Sequence, residues 1–428
     1  MRTVCIALLL ALLPSGTQAH QQASPQAGSD KLASLRITGS ARFRPEQIAP
    51  ATGLSPGATV TKDDLQQAAN RLGRLGPFSS VAYRYGSTDT GVEVEYHVTD
   101  APAMPVWFDN FPWFTDDELI AALKSSVPLF DGRAPEQGSM LEDMSHELQS
   151  LLAMRGIVAS VSHSVMTAPA SDERVQQFRV DDVKLPVASV EFSDPLAQSD
   201  RGIQSRLMDI IGENYSRTGI ELFEVEQVRP VYISHAFLRV RFLTPTARVV
   251  DGAGGPTVTL TVPIEPGPVF SWNGVTWTGG AALGVLELET LVPLHNGEPA
   301  DGMKIEKGWQ AIRNEYARRG YLSASLAISP HFDDKANRVS YAVVVTEGPQ
   351  YHMGKLVLTG LSIEGERRIR AAWRIAAGEV FDKSVFDEFM STGIKTAFVG
   401  TPANYEKIGS FLQENAGDGV VDVLIDFQ

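Results

Sequence analysis

Residues 61–100 read TKDDLQQAANRLGRLGPFSSVAYRYGSTDTGVEVEYHVTD, and this stretch decides the fold. Thr61 suits a helix N-cap, with Asp63 and Asp64 in the first turn. Leu65, Ala68, Ala69, Leu72 and Leu75 follow at helical spacing, and Gly76 closes the helix. Residues 78–85 alternate as a strand, residues 87–91 turn, and Val92, Val94, Tyr96 and Val98 form the return strand. Working outward, Leu35, Arg36, Ile37 and Thr38 make a strand that stops at Gly39. Pro45 opens a short helix that Gly53 ends, and Ser55-Pro56-Gly57 turns toward Thr61. The unit is strand, helix, helix, hairpin.

The same order recurs down the chain. The glycine between second helix and hairpin appears at Gly76, Gly156, Gly320 and Gly400, in steps of 80, 164 and 80 residues. The long step predicts one copy that has lost its glycine near Ala236. Arg155-Gly156-Ile157-Val158 is echoed by Arg319-Gly320-Tyr321-Leu322, and Pro266-Gly267-Pro268 by Glu347-Gly348-Pro349. A period near 80 is longer than solenoid repeats of roughly 20–50 residues, so each copy can hold its own small core.

The copies differ. The second has Thr115 to Glu118 as a capped helix start, residues 140–155 as second helix, and an aromatic opening: Trp107, Phe108, Phe111, Trp113 and Phe114. That cluster predicts a packed junction between the first two repeats or an exposed patch that docks a partner or the membrane surface. In the third, residues 237–249 and 258–264 read as the hairpin, and Pro230 interrupts the second helix. The fourth carries Trp272, Val275 and Trp277 in its first strand and a hairpin turning at residues 333–337. The fifth starts at Lys355 and finishes on residues 420–427.

Residues 4–13 are an apolar run behind Arg2, broken by Pro14 and Gly16 and followed by Thr17-Gln18-Ala19. This reads as a signal peptide cleaved after Ala19, since a membrane anchor needs roughly 20 apolar residues. Cys5, the only cysteine, goes with it, so no disulfide, thiol nucleophile or thiolate metal site is expected in the mature chain. With 43% hydrophobic and 21% charged residues the remainder is globular, and it is too long for one core. A net charge of −14 argues against nucleic acid and anionic headgroups as broad-surface partners.

Enzyme signatures are missing. The eight histidines form no His-Glu-x-x-His pair, and no Gly-x-Ser-x-Gly elbow, phosphate loop or dinucleotide fingerprint appears. The carboxylate pairs Asp63-Asp64, Asp116-Asp117 and Asp333-Asp334 sit where caps and turns explain them. No cofactor and no metal are expected.

The unit resembles the POTRA (polypeptide-transport-associated) domain of the outer-membrane barrel-assembly insertases, in the surface-antigen and two-partner secretion transporter superfamily. The first copy carries the likeness best, with Gly39, the Gly53 and Gly57 pair, Leu72 to Gly76 to Phe78, and the closing Val98-Thr99-Asp100. The resemblance implies an α+β fold: an elongated tandem array of about five β-α-α-β-β POTRA-like domains, each a small mixed three-stranded sheet with two helices on one face. The expected division is signal peptide 1–19, flexible leader 20–33, and repeats 34–102, 103–186, 187–268, 269–350 and 351–428. The chain stops at Gln428 where the fifth hairpin ends, so a soluble arm without the family's C-terminal barrel, or a truncated piece of a protein that carries one, is expected.

The resemblance also implies a non-catalytic scaffold, in the periplasm or at the periplasmic face of the outer membrane. Its expected partners are unfolded outer-membrane protein clients, a separate β-barrel or periplasmic accessory proteins, with peripheral membrane association. In the family the second strand of each repeat is an open edge, where an extended client can pair through backbone groups. The candidate edges are residues 80–85, 158–165, 238–244, 322–328 and 403–408. Candidate contact residues are Val81, Tyr83, Val158, Leu238, Val240, Phe242 and Leu322, with Trp107 and Trp113 from the aromatic cluster. The alternative is an exported enzyme or small-ligand-binding protein with a site between repeats.

Overall fold

The computed structural model describes residues 30–399 and 405–428. The expected signal peptide, most of the leader, Gly400 and Ala403 lie outside the described residues. The first strand begins at Asp30, inside the span read as flexible. Asp30 and Lys31 pair with Val60 and Thr59, and Leu32 is buried, so these residues have both hydrogen bonds and a core to join.

One compact unit comprises the described residues through Phe108, with Phe114–Thr167 and Glu173–Asp182. Its first repeat runs through strand Asp30–Thr38, helices Pro45–Thr52 and Lys62–Leu75, and strands Phe78–Thr88 and Gly91–Asp100. The Lys62–Leu75 helix starts on a reciprocal box: Thr61 Oγ accepts from the Asp64 amide at 3.2 Å, and the Asp64 carboxylate accepts from the Thr61 amide at 2.8 Å. The helix buries Leu65, Ala68, Ala69 and Leu72 against the sheet. Tyr96, from the central strand, donates its hydroxyl to the Leu65 carbonyl at 2.8 Å, and burial pushes its phenol up to about 12. The helix ends at Gly76 with φ +107°, where a Cβ would stand 2.2 Å from the Gln137 carbonyl oxygen. Only glycine fits there.

The second repeat follows with strand Ala103–Phe108, helices Asp116–Ser126 and Ser139–Met154, and strands Val161–Thr167 and Arg174–Val180. The Thr115–Glu118 capping box forms as expected. Both repeats gain a fourth, short strand beside the first, Thr59–Val60 and Arg133–Pro135, beyond the three the sequence indicated.

The second unit holds Asp109–Trp113, Ala168–Asp172 and Val183–Gln428. It contains three further sheets of the same order, each with its own core. Their first strands are Val187–Phe192, Ser271–Gly279 and His352–Thr359; their hairpins are Thr246–Gly252 with Gly255–Val262, Ser325–Asp333 with Arg338–Thr346, and Ile408–Asn415 with Val420–Phe427. In each repeat's main sheet the last strand lies between the first and the second, parallel to the first and antiparallel to the second. The fold is therefore α+β, five tandem β-α-α-β-β modules.

The third repeat departs most from its sequence reading. The edge strand is Thr246–Gly252, not residues 238–244. Pro245 breaks the chain between them, Val240 is buried in the core, and Arg241–Phe242 pairs instead with Ile264–Glu265. Before Pro230 the backbone makes a π-turn, Glu224–Val228, with the Arg229 amide bonded to the Glu224 carbonyl. Proline is not the sole cause, because Phe389–Gly393 in the fifth repeat makes the same turn without one. Ala236, at the position of the lost glycine, keeps the left-handed backbone at φ +64° while fully buried.

Candidate functional site

Every second strand lies at a sheet edge, with one row of backbone groups facing away from the sheet. The edge with the most developed surroundings is Phe78–Thr88. Between it and the Lys62–Leu75 helix runs a cleft of about 630 Å³, lined by Gln66, Ala69, Asn70, Gly73 and Arg74 on the helix and residues 78–83 on the strand. Ala69 and Gly73 are one turn apart, and a Cβ at Gly73 would touch nothing within 4 Å, so this wall is low. Tyr83 Oη donates to Gln66 Oε1 at 3.2 Å, and Gln66 Nε2 donates to Asn70 Oδ1 at 3.1 Å, setting a polar ladder along the rim.

Successive strand residues alternate between two faces. Val81, Tyr83 and Tyr85 lie on the helix side, where Tyr83 stacks on Tyr85 and tilts against Tyr96. The other face is polar: Arg84 pairs with Glu95 at 2.7 Å, His97 lies beside them, and a second depression of about 330 Å³ opens there. The Arg84 hydrogen bond holds the Glu95 carboxyl below the usual carboxylate range. Among the described residues no backbone hydrogen bond crosses the outer edge of this strand. An extended chain laid along it would present one face to a small-residue cleft and the other to charges.

The remaining candidates scatter. Val81 and Tyr83 are half-buried on the edge strand. Val158 is 97% exposed but precedes its strand, which begins at Val161. Leu322 also precedes its strand, Ser325–Asp333, and packs against the fifth repeat's core. Val240 is core, Leu238 packs on the fourth repeat's core, and Phe242 meets Tyr232 edge-on at 6.2 Å. None of these three lies on the Thr246–Gly252 edge; Phe242 sits on the two-residue strand paired with Ile264–Glu265. In the fifth repeat the edge strand is Ile408–Asn415, with Phe411 64% exposed; residues 403–404 of the expected edge lie outside the described residues, and 405–407 precede the strand.

The aromatic segment resolves into separate roles. Trp107 is half-buried on strand Ala103–Phe108, opposite Gln177. Trp113 packs against the third repeat's core rather than between repeats one and two. Beside it, the buried Asp109 carboxylate accepts from Ser216 Oγ at 3.0 Å and the Thr218 amide at 2.8 Å, capping helix Arg217–Phe223. Phe114 lies under the Arg155 guanidinium, 4.2 Å from the ring centre. What sequence reasoning missed is the helix wall of the first cleft; the Ala69 and Gly73 pair, small residues on one helix stripe, was the available signal.

Among the described residues, no group of three or more His, Cys, Asp or Glu side chains is placed to hold a metal ion.

Small mixed sheets with the last strand in the middle, two helices on one face and an open second-strand edge define a modular repeat class. The POTRA family model, "Surface antigen variable number repeat", matches residues 31–101 and 270–348, which are the first and fourth repeats. A protein of Treponema pallidum (strain Nichols), named as an outer membrane protein assembly factor, is 26% identical over 164 residues. The match covers 38% of this chain and 20% of the relative, so it spans about a fifth of that protein's length. Haemophilus influenzae BamA POTRA domains 3–5 align with 57% of this chain and 96% of their own, at 18% identity and a TM-score of 0.45. The N-terminal domain of Omp85 from Thermosynechococcus elongatus aligns with 58% and 98%, at 14% identity and a TM-score of 0.23.

Proposed function

We propose that this chain is a non-catalytic scaffold for outer-membrane protein assembly or secretion, working at the periplasmic side and engaging unfolded clients or partner proteins by β-augmentation. The observation that carries the proposal is the open Phe78–Thr88 edge beside its cleft. Backbone groups there offer a full ladder to any extended chain, with main-chain bonds giving affinity and little sequence demand. The two faces add a coarse filter: small or apolar side chains toward Ala69 and Gly73, polar ones toward Arg84 and Glu95. A strand of alternating polarity meets that filter, and transmembrane β-barrels are made of such strands. The POTRA match and the name of the Treponema relative support the setting. A separate β-barrel, accessory proteins and the membrane surface are further partners consistent with it.

The test is binding of peptides from unfolded outer-membrane proteins to the whole chain. Proline scanned through residues 80–85 should abolish binding at every second position, where the lost N–H faces outward. Gly73→Leu should weaken binding by about tenfold or more while stabilising the helix by about 1 kcal/mol, because leucine fills the cleft and is the better helix former. Binding indifferent to both would sink the proposal, and tight small-molecule binding without peptide affinity would replace it with an exported ligand-binding protein or enzyme.

A further inference from the structure

The outer side of the first strand is covered differently along the chain. In the first two repeats a short strand pairs with it; in the other three the cover is a single bridge, Pro186 to Asn214, Ser271 to Pro299, and His352 to Val380. In the fourth repeat that bridge and two bonds at Trp272, from its amide to the Glu298 carbonyl and from the Gly297 amide to its own carbonyl, end the protection. The strand then bulges between Trp272 and Val275, with Gly274 at φ +84°. Residues 275–279 continue paired with the central strand alone. Among the described residues no backbone hydrogen bond crosses their outer side.

A cleft of about 790 Å³ lies alongside residues 273–276. Trp272, 3% exposed, forms its floor, and Leu286, 80% exposed on helix Val285–Leu291, stands at its rim. The lining carries the Glu289 carboxylate and His295, the latter 3.4 Å from Glu298, but no Lys or Arg. The bulged, unpaired edge is a template for an extended chain, and Leu286 adds an apolar contact at its rim.

We propose that this edge and cleft form a second docking site. It takes an extended segment of a partner polypeptide, with a bulky apolar side chain over Trp272 and a Lys or Arg against Glu289. The backbone bonds along residues 275–279 supply affinity, and the carboxylate selects by charge. The site is independent of the second-strand edges, so the fourth repeat can hold a chain on the side opposite its Ser325–Asp333 edge.

The experiment uses the full chain and a short fluorescein-labelled peptide of alternating Leu and Lys. Hydrogen exchange with peptide bound should slow the outward amides of residues 275–279. Leu286→Glu and Glu289→Lys, both at exposed positions that the fold does not need, should each weaken binding about tenfold. The proposal is overturned by no binding, by binding that leaves residues 275–279 unprotected, or by affinity unchanged in both variants. Protection confined to Ser325–Asp333 would also remove this site while leaving the second-strand reading intact.

Discussion

The first and third repeats share one sheet order and differ in almost everything that holds it. The first has a continuous second helix with a reciprocal cap and a glycine at its end. The third divides that helix, inserts a π-turn, and puts an alanine where the glycine belongs. It also buries Glu224, 3% exposed, with Oε1 lacking a partner among the described residues. The topology thus tolerates poor local propensity when the core is large enough, and the cost collects at a few identifiable atoms.

Glu224 offers the largest expected effect. Burial pushes its carboxyl up to about 8; the Glu221 carboxylate adds to this and Arg217 opposes it. Because the folded value is raised, the favourable contribution is complete below about 4.5 and is lost as pH rises through about 8. The full swing is on the order of 5 kcal/mol. Glu224→Gln should flatten this dependence, read from hydrogen exchange of Arg229–Ser234 amides after correction for intrinsic rates. An unchanged slope in the variant would mean that the carboxyl is not the strained group.

Next come two glycines on the repeat marker. At Gly76 an added Cβ would meet a backbone oxygen, so Gly76→Ala should cost about 3 kcal/mol. Gly156 has φ +77° but nothing within 4 Å, so Gly156→Ala should cost only about 1 kcal/mol. Chemical denaturation of the two variants compares them directly; equal losses would show that backbone conformation alone, not close approach, sets the marker. The smallest effect is expected for Ala236→Gly. Relief of the left-handed strain, about 1 kcal/mol, is offset by loss of a buried methyl of about 0.8 kcal/mol. A net change beyond about 0.5 kcal/mol in thermal unfolding would break the equivalence of this position with Gly76.

What the sequence made legible follows the same contrast. Where caps, helical spacing and turn residues agree, as from Thr61 to Asp100, elements and edge were readable to within a few residues. In the third repeat, the apolar run Phe237, Leu238, Val240, Phe242 looked like a strand because it alternates, yet tertiary packing took Val240 into the core and Pro245 moved the edge onward. Val158 and Leu322 were misplaced for a simpler reason: the chain needs several residues after the marker glycine to turn before pairing starts at Val161 and Ser325. The clefts were not legible, since they depend on which small residues on a helix face an edge and on what fails to cover a first strand.

The middle position of each last strand has a consequence for how the protein is made. Leu32 through Thr38 find their sheet partners only at Val92 through His97, so most of a repeat must be present before its first strand has a long neighbour. A chain emerging N-terminus first therefore carries an unfinished module with two bare strands until the final one threads between them. Such order favours slow, all-or-none closure of each module. It also makes that final strand the keystone: a break just ahead of it leaves two edges and no sheet.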